Sequence, residues 1–170
     1  AMNNSKKNHI ALAVAAAFGL AGGLAQAQVS DNVVRIGVLS DMSGAYSDLA
    51  GGGSVLATQM AVDDFKAKNK VPFAIEVVSA DHQNKGDISS NKAREWFDRE
   101  KVDVVTDLVT TSTALAVMKV AKEKNKIALI SGAASTRITN EDCNDVTVHW
   151  TYDTYAVANG TAKAVVKQGG

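Results

Sequence analysis

Four consecutive hydroxyl residues, Thr110 to Thr113, are the part of this sequence best suited to bind a ligand. They follow the apolar run "VDVVTDLV", which predicts a strand, and begin the periodic segment "TALAVMKVAKEKN", which predicts a helix. Backbone N–H groups and the positive dipole end at a helix start favour an anion, and hydroxyls add donors without a counter-charge. The pattern predicts a site that holds a carboxylate reversibly.

A second hydroxyl cluster lies in "SGAASTR", after the next apolar run, and comprises Ser131, Ser135 and Thr136. A single hydroxyl at a helix start, such as Thr111 or Ser112, is usually explained by capping. Two clusters of this size exceed what capping requires. Together they favour solute binding, although any one of the hydroxyls remains open between the two roles.

The elements that must position these clusters alternate regularly along the chain. Five short apolar runs predict strands, at residues 33–40, 73–80, 102–109, 126–132 and 146–150. Helical patterns separate them, with Ser54 and Asp87 as predicted N-caps. This order predicts an α/β fold with an open parallel sheet and helices on both faces. Ligands bind such sheets beyond the carboxyl ends of the strands, where both hydroxyl clusters fall.

Other loop residues allow more than one interpretation. Tyr46, in the glycine-rich loop "DMSGAYSDLAGGGS", could stack on a ligand or pack the loop. Trp150, Tyr152 and Tyr155, in "VHWTYDTYAVA", could form a rim of the core or an aromatic wall on the cleft. His82 is expected to be a hydrogen-bonding structural residue beside Asp81, because no nucleophile can be assigned to it.

Two acids and one tryptophan are given structural roles. Asp41 and Asp81 are predicted to cap loops rather than to perform acid–base chemistry, and Trp96 to lie in the core. Nothing resembles a metal site, since the three histidines are far apart in sequence. No catalytic residue and no cofactor are therefore expected, and the protein is not expected to be an enzyme.

The first 27 residues differ in kind from the rest. Lys6 and Lys7 precede the apolar run "IALAVAAAFGLAGGLA", which is too short to be a typical membrane span and ends in Ala25-Gln26-Ala27. These three features predict a cleaved signal peptide over residues 1–27, with Ala1 a cloning scar. No cysteine follows for lipid attachment. We therefore expect a periplasmic protein that begins at residue 28.

Charge and cysteine content limit the partners. Removing Lys6 and Lys7 with the leader reduces 18 basic residues to 16, against 18 acidic residues. A net charge near −2 gives no reason to expect nucleic acid or an anionic membrane as a partner. Cys143 is the one cysteine, so it is expected to be a buried free thiol or to pair outside this chain.

The sequences around the predicted loops, taken in their order along the chain, resemble those of a known protein family. The segments "VRIGVLSDMSGAYSDLAGGGS", "VVSADHQNKGD", "DLVTTSTALAV" and "ALISGAASTR" are similar to those of type I periplasmic binding proteins. These proteins serve ABC importers for branched-chain amino acids, amides and aromatic acids. The resemblance runs from Val33 to the end of the chain. The segments "ADHQNK" and "HWTYDTYAVA" look closest to a subgroup linked with aromatic or other organic acids.

The resemblance implies a periplasmic monomer that binds a small organic acid or amino acid between two lobes and delivers it to a membrane permease. In such proteins the loop after the third strand holds the solute carboxylate, and the loop after the fourth adds a backbone group and a hydroxyl. A side contact comes from the first loop. The corresponding residues here are Val109, Thr110 and Thr111 after the third strand, Ala134 and Ser135 after the fourth, and Tyr46 in the first loop. Tyr152 joins these ligand-binding candidates as part of the aromatic cluster that could wall the cleft.

Length departs from the family pattern, since members are more than twice as long. We therefore expect an N-terminal ligand-binding lobe over residues 28–150. Residues 151–170 would be the hinge crossing and the start of an incomplete second lobe. Two alternatives stay open: a nucleotide-dependent α/β enzyme, and a solute-sensing or interaction lobe without a transport role. The first has only a partial fingerprint, because the glycine-rich loop lacks G-x-G-x-x-G.

Overall fold

The computed structural model describes residues 29–169, which contain five strands and four longer helices. The strands are β1 (Val33–Ser40), β2 (Ala74–Asp81), β3 (Val104–Asp107), β4 (Ile127–Ile130) and β5 (Thr147–His149). The helices are α1 (Gly51–Lys68), α2 (Gly86–Asp98), α3 (Thr111–Lys124) and α4 (Thr154–Lys167). Short 3-10 turns cover Ser30–Asn32 and Thr136–Ile138.

All five strands form one parallel sheet in the order β2-β1-β3-β4-β5. Strand β1 pairs with β2 and β3, so that Ile36 lies between Val77 and Val104. Because all strands are parallel, their carboxyl ends and following loops gather at one edge. This confirms the predicted α/β class and brings both hydroxyl clusters to the same edge.

The sheet face covered by α2 and α3 holds the core. The two helices pack against each other, and α3 also packs against β4. Gly37 of β1 has no side chain because the Trp96 ring occupies that space: a Cβ there would lie 2.6 Å from Trp96 Cζ3. Trp96 is buried, as predicted. The cluster also includes Leu39, Ala93, Phe97, Val105, Leu108, Val117, Met118 and Ile130.

The opposite face is covered only in part. Helix α1 lies against β1 and β2 and leaves an open apolar cavity of about 660 Å³ beside β3 and β4. Ile36, Phe65, Val104, Leu129 and Trp150 are among its walls. Within residues 29–169 no buried residue comes from α4. None of the described helices is long and apolar enough to cross a membrane.

The predicted N-caps Ser54 and Asp87 are wrong. Helix α1 begins at Gly51, whose N–H donates to Ser40 Oγ at 2.9 Å, so the end of β1 supplies the cap. The φ of Gly51 is +46°, a left-handed value that favours glycine. The Ser54 N–H already donates to Ala50 O inside the helix, and Asp87 lies within the first turn of α2.

Strand β3 is shorter than predicted and Cys143 is not buried. The strand ends at Asp107 because Asp107 and Leu108 have φ values of 82° and 57°, which turn the chain out of the sheet. Cys143 is a free, exposed cysteine in a surface turn, where its N–H donates to Asn140 O. The signal peptide over residues 1–27 lies outside the described residues. The lobe boundary near residue 150 stays a prediction.

Candidate functional site

Two aspartates hold the loops that follow β1 and β2, as predicted. Asp41 accepts the N–H groups of Gly44 and Tyr46 at 2.8 and 3.0 Å. Asp81 accepts the N–H of Met42 at 3.0 Å and the hydroxyl of Ser43 at 2.5 Å. Burial alone would raise the pKa of Asp81, but these hydrogen bonds outweigh it and hold the pKa below its usual value.

His82 is fully buried beneath these loops, in the structural role expected for it. Its Nδ1 accepts the Asn84 N–H at 3.0 Å, so Nε2 carries the proton of the neutral ring. Burial lowers the pKa of His82 and outweighs the opposing effect of Asp41, Asp107 and Asp81. Nε2 has no hydrogen-bond partner among the described residues.

The four hydroxyl residues at the start of α3, Thr110 to Thr113, form two pairs that differ in hydrogen bonding and in exposure. The Thr110 hydroxyl donates to Asn84 Oδ1 at 2.7 Å, and the buried Thr113 hydroxyl donates to Thr110 O at 2.8 Å. These two hydroxyls therefore tie the loop together. Ser112 is exposed, and Thr111 is partly exposed.

The backbone at the same place is better suited to an anion than the hydroxyls are. Thr110 is the N-cap residue of α3, and no side-chain hydrogen bond caps the helix. The first-turn N–H groups of a 14-residue helix are thus left without a capping side chain. The helix dipole adds positive potential at this point.

The second cluster has mainly structural contacts. Ser135 Oγ accepts the Arg137 N–H at 3.3 Å and caps the short turn Thr136–Ile138. Ala134 O accepts the Thr154 N–H at 2.7 Å, which joins this loop to the start of α4. Ser131 Oγ lies 3.5 Å from Asp107 Oδ1, so this hydroxyl connects the ends of β4 and β3.

A cavity of about 210 Å³ lies among these loops. Gly132 allows two of its walls to approach closely, because a Cβ there would lie 2.7 Å from Val109 Cα. Of the predicted ligand-binding residues, Val109 and Tyr152 line the cavity, whereas Tyr46, Thr110, Thr111, Ala134 and Ser135 do not. The remaining walls are Leu49, Ala50, Ser54, Asp107, Ser131, Gly132 and Thr151.

Sequence reasoning did not select Asp107, Gly132 or Thr151 for this site. A signal for the first two was present, because Asp107 is the last residue of β3 and Gly132 lies two residues after β4, both on the predicted binding edge. The side chain of Tyr46 is 39% exposed and its role remains open between ligand contact and loop packing. Within residues 29–169, no group of three or more His, Cys, Asp or Glu side chains is arranged to hold a metal ion.

A family model described as periplasmic binding protein matches residues 33–170. This match covers most of the chain, from β1 onward. The chain belongs to the periplasmic binding protein family. The comparison with curated proteins gives no significant match.

Solved structures of other periplasmic binding proteins share this fold. A periplasmic binding protein from Burkholderia mallei is 50% identical, with a TM-score of 0.77, over 82% of this chain and 37% of the other. A branched-chain amino acid ABC transporter periplasmic ligand-binding protein from Burkholderia xenovorans LB400 is 39% identical, with a TM-score of 0.74, over 80% and 36%.

A more distant relative was solved with an aromatic acid. The solute-binding protein of an ABC transporter from R. palustris, in complex with 4-hydroxybenzoate, is 26% identical, with a TM-score of 0.68. The alignment covers 81% of this chain and 36% of that protein. This periplasmic binding protein therefore spans little more than a third of the length of these solved relatives.

Proposed function

We propose that this chain is the periplasmic solute-binding component of an ABC importer. It binds a small carboxylate-bearing solute, such as a branched-chain amino acid or an aromatic acid, and delivers it to a membrane permease. Export by the signal peptide over residues 1–27 is part of the proposal. The names of the relatives, a branched-chain amino acid transporter protein and a 4-hydroxybenzoate complex, support these two solute classes.

The observation that carries the proposal is the start of α3, which no side chain caps. Its N–H groups lie at the carboxyl-end edge of the sheet, and Val109, two residues before Thr111, lines the adjacent cavity. Helix N-termini bind carboxylates through their N–H groups and dipole. Ser112 is an exposed residue whose hydroxyl makes only a long contact, 3.4 Å to Thr110 Oγ1, so it can serve as a further donor.

Thermal unfolding with added solutes tests the proposal. The panel pairs each acid with its neutral amide: benzoate with benzamide, and isoleucine with isoleucinamide. A solute at a hundred times its dissociation constant stabilises the folded state by about 2.7 kcal/mol. We expect at least one acid to raise the melting temperature and its amide to do so far less.

A proline at residue 111 tests whether the backbone N–H groups bind the carboxylate. Thr111→Pro removes one N–H at the first helical position, where proline is well tolerated. The preceding residue, Thr110, already has the extended φ and ψ of −120° and 153° that a following proline requires. Thr111→Ala is the matched control, because it removes the same hydroxyl and keeps the N–H.

We expect Thr111→Pro to weaken binding of the acid roughly ten-fold relative to Thr111→Ala, as for a lost charge-assisted hydrogen bond. Equal affinities in the two variants would place the carboxylate elsewhere. A cooperative melt that no acid shifts would contradict solute binding by this chain.

A further inference from the structure

Asp107 lies in the wall of the 210 Å³ cavity and has an unusual environment for a carboxylate. The residue is only 5% exposed. Its Oδ1 has one long contact, 3.5 Å from Ser131 Oγ, and its buried Oδ2 has no hydrogen-bond partner among the described residues. A buried carboxylate that lacks partners costs free energy, so a group retained in this state calls for a further partner.

The surrounding residues do not supply a counter-charge. None of the ion pairs among residues 29–169 includes Asp107. The remaining cavity walls are apolar, hydroxyl-bearing or glycine, and none is basic. Burial lowers the pKa of the His82 ring, which disfavours its positive form. Among the described residues, the cavity wall therefore holds one carboxylate and no basic side chain.

The backbone fixes this acceptor close to the start of α3. Asp107 and Leu108 both have positive φ values, 82° and 57°, which non-glycine residues rarely adopt and which surrounding structure must hold in place. Asp107 and Thr111 are four positions apart, so their Cα atoms are at most about 14 Å apart. Both belong to the stretch of chain that leads from β3 into α3.

We infer that Asp107 determines which solutes this site accepts. With the solute carboxylate at the start of α3, Asp107 accepts a hydrogen bond from a hydroxyl or ammonium group elsewhere on the same solute. Solutes that present a second carboxylate or an ether oxygen there are rejected, because two acceptors then face each other. This inference rests on the proposed function and specifies the solute class within it.

Matched solutes test the inference in the unaltered chain. The probes are benzoate, 4-hydroxybenzoate, 4-methoxybenzoate and terephthalate, together with isovalerate and valine. We expect the hydroxyl or ammonium compound of a responding series to bind roughly ten-fold tighter than its unsubstituted acid, as for a hydrogen bond to a charged acceptor. The methoxy and dicarboxylate compounds should bind more weakly than benzoate.

Two substitutions separate recognition from a structural role. Asp107→Asn keeps the shape and one acceptor oxygen, whereas Asp107→Leu removes every side-chain acceptor and keeps the branched shape at a larger volume. We expect the preference for the donor-bearing solute over the unsubstituted acid to shrink in Asp107→Asn and to vanish in Asp107→Leu. Asp87→Asn is the control, because it removes the same charge outside the cavity. Asp87 is exposed in the first turn of α2.

The outcomes distinguish the two proposals. If acids bind without preference, or if the preference survives in Asp107→Asn and Asp107→Leu, the inference is overturned while the proposed function stands. A lower melting temperature with an unchanged preference would make Asp107 a structural residue whose Oδ2 is hydrated. If no acid binds the unaltered chain, both proposals fail. Should Asp107→Leu not fold, Asp107→Asn and the methoxy probe still decide the matter.

Discussion

The two faces of the sheet differ in how completely they are covered. On one face α2 and α3 exclude water from the strands, and Trp96 is 1% exposed against Gly37. On the other face α1 reaches only the β1–β2 half, and Trp150 is 80% exposed at the open apolar cavity. The same residue type is thus core on one face and surface on the other.

This difference shows where the stability of the described residues comes from. Apolar side chains contribute in proportion to the area removed from water, and the face under α2 and α3 removes nearly all of it. The apolar residues beside β3, β4 and β5 on the other face, including Leu129 and Val148, contribute less because they stay partly exposed. Each prediction below tests this contrast.

The largest expected effect is that of Trp96→Ala. Truncating a fully buried tryptophan removes its apolar contacts and leaves a cavity, which typically costs about 3–5 kcal/mol. Urea unfolding followed by circular dichroism measures the change in the free energy of unfolding. A loss below about 1 kcal/mol would mean that the two faces are not as different as the structure shows.

A smaller loss is expected for Gly37→Ala. The new Cβ would lie 2.6 Å from the Trp96 ring, and overpacking of this kind costs about 1–3 kcal/mol. In a Trp96→Leu background, which relieves the clash, the same substitution should cost less. A double-mutant cycle from urea unfolding measures this coupling, and additive costs would show that Gly37 and Trp96 do not constrain each other.

The smallest effect is expected for Trp150→Ala, the matched partner of Trp96→Ala. Because its side chain is 80% exposed, we expect a change within about 0.5 kcal/mol. The same urea titration measures it. A loss of 2 kcal/mol or more would reveal that the open face is covered in solution, and would remove the contrast between the two faces.

Much of the fold could be predicted from local patterns. Five apolar runs separated by helical periodicity correctly predicted the strand and helix order, because each element must bury one stripe or face of its own residues. Trp96 was predicted as core on the same ground. Asp41 and Asp81 were predicted as loop caps, and each accepts a nearby backbone N–H, from Gly44 and from Gln83.

The errors and omissions involve residues that are distant in sequence. Ser54 was predicted as the N-cap of α1, but Ser40 Oγ, from the end of β1, binds the Gly51 N–H instead. Thr110 stays a predicted ligand contact, but the sequence did not indicate that its hydroxyl donates to Asn84, 26 residues earlier. Neither contact has a local sequence signal, since each depends on how the loops meet at the sheet edge.

The sequence by itself determined the class of fold, the edge of the sheet where a ligand would bind and the resemblance to periplasmic binding proteins. Only the tertiary structure decided which polar groups at that edge already have hydrogen-bond partners among the described residues and which have none. The spacing of apolar residues within one helix or strand reflects which face of that element is buried, so it can be recognised in the sequence alone. The cavity beside Asp107 depends on strand order and on the close approach of Gly132 to Val109, which only the folded sheet brings about.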